Sequence, residues 1–383
     1  MLSKRKNKYA ADVINFGTLA IWKWRQTCKN CMSSGKWVAL MLLGMLAATS
    51  ITWLAMKPAL DAKKKADSEQ PITQVADIST NLPCDDVSII RDNSPSLTKP
   101  FLYADVSCES DALQSLKQRM TDYIDGQKAA GKISRASVYY KELNSLHWTS
   151  AYGSELFYPG SMMKVPLLLT ILKQAQRDKT LLEQKIQFQT ASKIKVFVPV
   201  QQPMEVGKLY TVQQLLERMI LFSDNDATSM LFSIYNKELY DDLFMKLSVP
   251  VQDAEDLFYR MSPADMSKFF RILYNASYLS SLYSEYALDL LTKSDFKQGI
   301  IQGVPSNNKV AHKFGERFTT SDLLQLHESA IVYRGSASYA ITIMTEGKRM
   351  EDLKAVLGEL SKICFEQQKA QSPISGTRKS THT

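Results

Sequence analysis

Tyr158-Pro159-Gly160-Ser161-Met162-Met163-Lys164-Val165-Pro166-Leu167-Leu168-Leu169 is the stretch from which the rest of the chain becomes readable. Pro159 and Gly160 break the chain, and an apolar run from Val165 to Leu172 follows with helical character. Ser161 therefore falls at a helix N-terminus, beside unpaired backbone N–H groups and the positive end of the helix dipole. Lys164, three residues on, shares its face. A hydroxyl and an amine one turn apart propose a nucleophile and its base: a lysine buried near other cations loses its proton close to neutral pH. As bare letters S-x-x-K says little. Ser96/Lys99, Ser192/Lys195, Ser294/Lys297 and Ser306/Lys309 also satisfy it, and an isolated Ser161 reads equally well as a helix cap.

Two further clusters give Ser161 its context. Ser223-Asp224-Asn225 lies between two helical runs, Val212 to Phe222 and Ala227 to Ile234. There Ser223 is placed to relay a proton to a leaving group and Asn225 to bond a substrate amide, although all three residue types also favour helix caps. Lys313-Phe314-Gly315 follows the strand-like Val310-Ala311-His312. Lys313 is read as holding a substrate carboxylate, and Gly315 as letting substrate backbone approach. The backbone N–H groups of Ser161 and Glu316 then form an oxyanion pair. His312 is read as a strand residue. Lys297-Gln298-Gly299 matches K-x-G as letters but precedes the strand.

The chain has 383 residues, 45% hydrophobic and 22% charged, a globular composition. Its net charge of +8 sits largely in the tails, and no basic stripe with interleaved aromatics points to nucleic acid. Trp37 to Met56 runs 20 residues without a charge, flanked by Lys36 and Lys57 and with tryptophans near its ends. That suits a single bilayer span. Eight Lys/Arg precede it (Lys4, Arg5, Lys6, Lys8, Lys23, Arg25, Lys29 and Lys36) against Lys57, Lys63, Lys64 and Lys65 after it. The expectation is an uncleaved anchor in the cytoplasmic membrane, N-terminus inside, with the remaining chain outside the cytoplasm. Cys28 and Cys31 lack a second ligand pair, so no metal is expected, and no cofactor. Cys84, Cys108 and Cys364 allow one bridge at most, Cys84–Cys108 or Cys108–Cys364.

These observations divide the chain into an inner segment (1–36), the span (37–56), a polar tether (57–106), a folded domain (107–368) and a tail (369–383). The domain opens with a helix, Asp111 to Ala130, followed by strands Arg135–Glu142 and His147–Tyr152 and a long helical middle. It closes with strands Asn308–Lys313, Glu328–Tyr333 and Tyr339–Thr345 and a helix, Met350–Phe365. The expected fold is α/β of the α+β kind: one antiparallel sheet from both termini with an inserted helical lobe.

With S-x-x-K, S-D-N and K-x-G in order, the chain resembles the penicilloyl serine transferase superfamily, class A β-lactamases most closely. Met261-Ser262-Pro263-Ala264-Asp265-Met266 is similar to that family's hydroxyl-proline helix start, and His327 to Tyr333 to the strand after its K-T-G edge. The resemblance implies a two-lobe fold with the site in the cleft, and acylation of Ser161 by β-lactams or D-Ala-D-Ala peptides. It departs from the family in two places. Phe314 replaces the small hydroxyl of K-T-G, and no E-x-x-L-N is present to activate a deacylating water. Asp253, Glu255 and Asp256 are the local carboxylates, read as loop charges. The expected activity is acyl-enzyme formation on cell-wall peptides or related amides and esters, with poor deacylation. The alternatives are a β-lactam hydrolase and a catalytically silent envelope scaffold. Oligomeric state is not legible.

Overall fold

The computed structural model describes residues 87–92, 97–191, 200, 202–251, 259–319 and 323–370. The proposed span, Cys28, Cys31, Cys84 and the carboxylates Asp253, Glu255 and Asp256 lie outside them. Among the described residues no helix is long and apolar enough to cross a membrane, and no cluster of His, Cys, Asp and Glu could hold a metal.

A five-stranded antiparallel sheet forms the centre, built from β3 (Arg135–Glu142), β4 (Trp148–Ala151), β7 (Val310–Phe318), β8 (Leu324–Val332) and β9 (Tyr339–Gly347) in the order β4-β3-β9-β8-β7. The two ends of the domain meet where Arg135 stands opposite Glu346. Helices α1 (Gln114–Ala129) and α8 (Met350–Ala370) cover one face, with a core of Leu116, Met120, Ile124, Leu353, Leu357 and their sheet partners. The second core lies in the inserted lobe: α2 (Lys164–Arg177), α3 (Val212–Leu221), α4 (Asn225–Phe232), α5 (Lys237–Lys246), α6 (Pro263–Tyr274) and α7 (Ser281–Thr292). Between α2 and α3 lies a small ribbon, β5 (Lys185–Gln187) with β6 (Leu209–Thr211).

Local chemistry starts these helices. Thr211 and Gln214 form a reciprocal capping box at α3. The Ser262 hydroxyl accepts from Asp265 N at 3.1 Å with Pro263 in the first turn of α6, as the sequence motif required.

Two expectations need correction, and one of two open cysteine pairings closes. Residues 87–92 and 97–106 are not tether: β1 (Val87–Arg91) pairs with β2 (Phe101–Val106), and Leu102 and Tyr103 are buried in the lobe core. Composition hid this hairpin because polar residues and prolines surround its few buried side chains. Asp105 fastens it, accepting from Lys141 Nζ at 2.8 Å and Arg271 Nη1 at 3.0 Å. The Cys108–Cys364 bridge is absent, and both carry free thiols. Cys364 is sealed beneath α1, its Sγ 3.6 Å from Met120 Sδ. Finally, Lys313 sits in mid-strand, since β7 continues to Phe318.

Candidate active site

Ser161 lies in a single turn of 3₁₀ helix, Gly160–Met163, which runs directly into α2 at Lys164. Two glycines seat this turn against β7. A Cβ on Gly160, whose φ is +54°, would stand 2.6 Å from Glu316 O; one on Gly315 would stand 2.2 Å from Pro159 O and 2.9 Å from Met162 N. Only bare backbone permits that approach, and it brings Glu316's backbone alongside Gly160 and Ser161. β7 is the outer strand of the sheet, so its far edge is not paired within the sheet.

Lys164 is the hub. Its Nζ lies 3.0 Å from Ser161 Oγ, 3.1 Å from Ser223 Oγ, 2.8 Å from Asn225 Oδ1 and 2.5 Å from Ser223 O. The last two can only accept. A neutral amine has two N–H bonds for them and one lone pair left for a serine hydroxyl. Burial pulls the Lys164 pKa down to about 7, although the charges of Asp224 and Glu316 push it upward. Lys313, wholly buried, directs its Nζ to Ser223 Oγ at 2.8 Å and to Phe314 O at 3.0 Å. Burial holds its pKa well below the ordinary lysine value, and Lys164 adds repulsion. The Ser223 hydroxyl thus joins the two lysines.

The loop that presents Ser223 is under backbone constraint. Ser223 has φ +55°, unusual for a residue with a side chain. Asp224 holds it there by capping α4, accepting from Asp226 N at 2.8 Å and Ala227 N at 3.2 Å. Its other oxygen accepts from Arg218 Nε at 2.8 Å. The cap reading and the site reading of Ser-Asp-Asn are therefore both correct, for different residues. Asn225 gives its carbonyl oxygen to Lys164, so its Nδ2 donors turn elsewhere.

Phe314 faces away from the turn that carries Ser161. It is buried in the core beneath α1 and α8 and stacks on Phe296 with centroids 4.4 Å apart. The Lys313 ammonium lies 4.2 Å from its ring centre. His312 shares that face and is the structural residue expected, bonded through Nδ1 to Glu328 Oε1, whose second oxygen accepts from Ile300 N at 2.7 Å.

Sequence reasoning missed a buried spine behind the nucleophile. Thr345 N donates to His327 Nδ1 at 3.1 Å, so His327 carries its proton on Nε2, which donates to Gln325 Oε1 at 3.2 Å. The same oxygen accepts from Tyr158 N at 3.1 Å. Gln325 Nε2 donates to Glu346, which also binds Arg135 Nε at 3.0 Å. Burial depresses the His327 pKa to about 3, keeping that ring neutral. The alternation Gln325-Leu326-His327 was the available signal, polar residues recurring on one face of an apolar strand.

Residues 115–368 match the family model described as the β-lactamase enzyme family. The chain belongs to the β-lactamase enzyme family. Solved structures agree on the fold of this β-lactamase-family chain. A β-lactamase from Chitinophaga pinensis is 18% identical over 65% of this chain and 99% of its own, with a TM-score of 0.58. A class A β-lactamase from Mycobacterium abscessus is 18% identical over 65% and 99%, at 0.57. PBP-A is 18% identical over 67% and 97%, at 0.56; a mutant of it was solved as an acyl-enzyme complex with penicillin G. No curated protein matches the chain. Family membership places the chain among serine hydrolases of β-lactamase type.

Proposed function

We propose that this β-lactamase-family domain forms an acyl-enzyme at Ser161 and releases it slowly. The observation that carries the reading is the buried Lys164 amine, 3.0 Å from Ser161 Oγ, with its pKa drawn down to about 7. Near neutral pH about half of such an amine is unprotonated and able to take the serine proton. Ser161 Oγ attacks an amide or lactam carbonyl, whose oxygen is received by the N–H groups of Ser161 and Glu316. Lys164 returns the proton through the Ser223 hydroxyl to the leaving nitrogen. Lys313 supports this from behind. Being wholly buried, it acts on a substrate carboxylate through the Ser223 hydroxyl and through its field.

Slow release is inferred from the sequence, which holds no E-x-x-L-N to supply a water-activating glutamate. Asp224 is committed to Arg218 and to the α4 backbone. The connection from α5 to α6 is only Leu247 to Ser262. Losing a general base costs about 10²–10⁴-fold in rate. The substrates proposed are cell-wall peptides ending in D-Ala-D-Ala, or related amides and esters. Trp37–Met56 is proposed to anchor the enzyme in the cytoplasmic membrane with its N-terminus inside, and the chain should then stay in the membrane pellet after an alkaline wash.

Full-length protein in detergent is incubated with a fluorescent penicillin. The reading expects a covalent label, absent from Ser161→Ala and stable for many minutes. Rapid disappearance of penicillin from solution transfers the assignment to a drug-hydrolysing β-lactamase. Absence of label from correctly folded protein transfers it to a silent scaffold.

A further inference from the structure

A second pocket lies at the other edge of the sheet. β4 is the outer strand there, with β3, β9 and β8 between it and β7, so the two edges stand about 19 Å apart at ordinary strand spacing. Tyr139 pairs with Ser150 and Lys141 with Trp148, which puts Tyr139, Trp148 and Ser150 on one sheet face. Ala264, in the first turn of α6, borders that face, and the pocket between them holds about 360 Å³. Glu109 and Lys117 line it from the outer side of β4, and Ser154 stands at its exposed rim. The chain turns tightly to form that rim: a Cβ on Gly153 would stand 2.5 Å from Ser150 Oγ. None of these residues takes part in the chemistry at Ser161.

Tyr139 is the informative member. Only 5% of it is exposed, yet its hydroxyl has no hydrogen-bond partner among the described residues. An unpaired hydroxyl taken out of water costs free energy, and a ligand that bonds it recovers that cost. Charge in the pocket is already balanced. Lys117 Nζ lies 2.9 Å from Glu109 Oε2, and the same carboxylate accepts from Thr149 Oγ1 at 2.8 Å and from Ser150 Oγ at 3.1 Å. Neither an anion nor a cation is therefore selected. What remains is a mixture of donors and acceptors: further N–H bonds on Lys117, and the hydroxyls of Tyr139 and Ser154, each able to act both ways. Beside them stand two aromatic rings, Tyr139 and Trp148, with centroids 5.7 Å apart and planes inclined by 30°.

A neutral ligand with hydroxyls along one side and C–H groups along the other meets these terms. A pyranose ring is built that way. Its hydroxyls both donate and accept, and its C–H face packs on an aromatic ring. The space available is at the small end for a ligand pocket, which fits one or two such units. A planar aromatic ligand would use the two rings but leave the hydroxyl and ammonium donors unanswered. We infer that this pocket binds a neutral sugar unit of the hexose or N-acetylhexosamine kind, with the Tyr139 hydroxyl and Lys117 Nζ bonding its hydroxyls and Trp148 packing on its ring. The inference takes nothing from the acyl-enzyme reading.

Full-length protein, held in a detergent without a sugar headgroup, is titrated calorimetrically with N-acetylglucosamine, with tri-N-acetylchitotriose and with neutral N-acetyl-tryptophanamide. Saturable binding of a saccharide is expected, with a Kd of about 1 mM or tighter. Tighter binding of the trimer identifies the ligand as a unit within a glycan chain; equal binding identifies it as a free sugar. Tyr139→Phe deletes only the unpaired hydroxyl. It is expected to weaken saccharide binding about five- to tenfold while leaving the melting temperature unchanged or slightly raised, a combination that a purely structural tyrosine does not give. Lys117→Met, at a half-exposed position, is expected to weaken binding by a similar factor. No saturable binding of either saccharide, equal affinity for N-acetyl-tryptophanamide, or affinity unchanged by both substitutions overturns the inference.

Discussion

Phe314 stacks on Phe296, with ring centroids 4.4 Å apart and planes 22° from parallel. The pair lies in the core under α1 and α8, so the bulky residue in the middle of Lys313-Phe314-Gly315 strengthens the floor of the cleft and does not fill it. Phe314→Ala is expected to cost about 3–5 kcal/mol of stability through the cavity it leaves. Urea unfolding measures this; a loss below 1 kcal/mol contradicts the packing described.

Labelling by penicillin is expected to depend on pH through Lys164. The base works unprotonated and its pKa is lowered to about 7. The acylation rate should therefore rise from pH 5 to about pH 7 and level off above it. An ordinary exposed lysine would give a rise continuing past pH 9. Lys164→Ala should lower the plateau rate above pH 7 by about 10²–10⁴-fold and flatten the profile, so that the deficit shrinks toward pH 5. Stopped-flow quenching of the fluorescent drug supplies the profile.

Gln325 positions the residue that leads into the nucleophile turn. In Gln325→Leu the buried donors Tyr158 N–H and His327 Nε2–H lose their acceptor, at about 1–3 kcal/mol for each group left unsatisfied. The same change should slow acylation more than it weakens substrate binding, because the turn loses its support behind Tyr158. Gln325→Glu offers an oxygen to Tyr158 N–H but faces Glu346, so it should restore little. Paired denaturation and labelling kinetics separate the structural and positioning effects.

Asp105 neutralises two cations that the fold has buried, Lys141 and Arg271. Asp105→Asn should cost about 3 kcal/mol, the low end for breaking a buried pair, because Lys141, with its pKa brought down to about 8, sheds its proton readily. The two cations hold the Asp105 pKa below its ordinary value against the opposing effect of burial. Its contribution is therefore present above the unfolded carboxylate pKa and disappears as the pH falls through the lower folded value. A melting temperature insensitive to the substitution at pH 7 would falsify this account of how the β1–β2 hairpin is fastened.

Strong local signals made much of the fold readable beforehand. β3 was bounded residue for residue as a strand-like run ending at the Leu143–Leu146 turn, and Pro159-Gly160 announced the turn carrying Ser161. The three clusters were legible because each stood beside a chain break, a helix or a strand. What escaped depends on distant partners. Nothing near Ser223 signals its left-handed backbone, which Asp224 and Arg218 maintain. The orientation of Phe314 depends on Phe296, and the burial of Leu102 and Tyr103 on lobe helices reached much later in the chain.

The pairing of β3 with β9 makes assembly late. These strands are neighbours in space, yet almost the whole domain is synthesised between them. Loop closure over such a span is slow and yields nothing until the last strand arrives. A nascent chain halted before Tyr339 would possess the serine and both lysines but no seam to hold the halves together. Chemistry at Ser161 should thus begin only when synthesis is nearly complete.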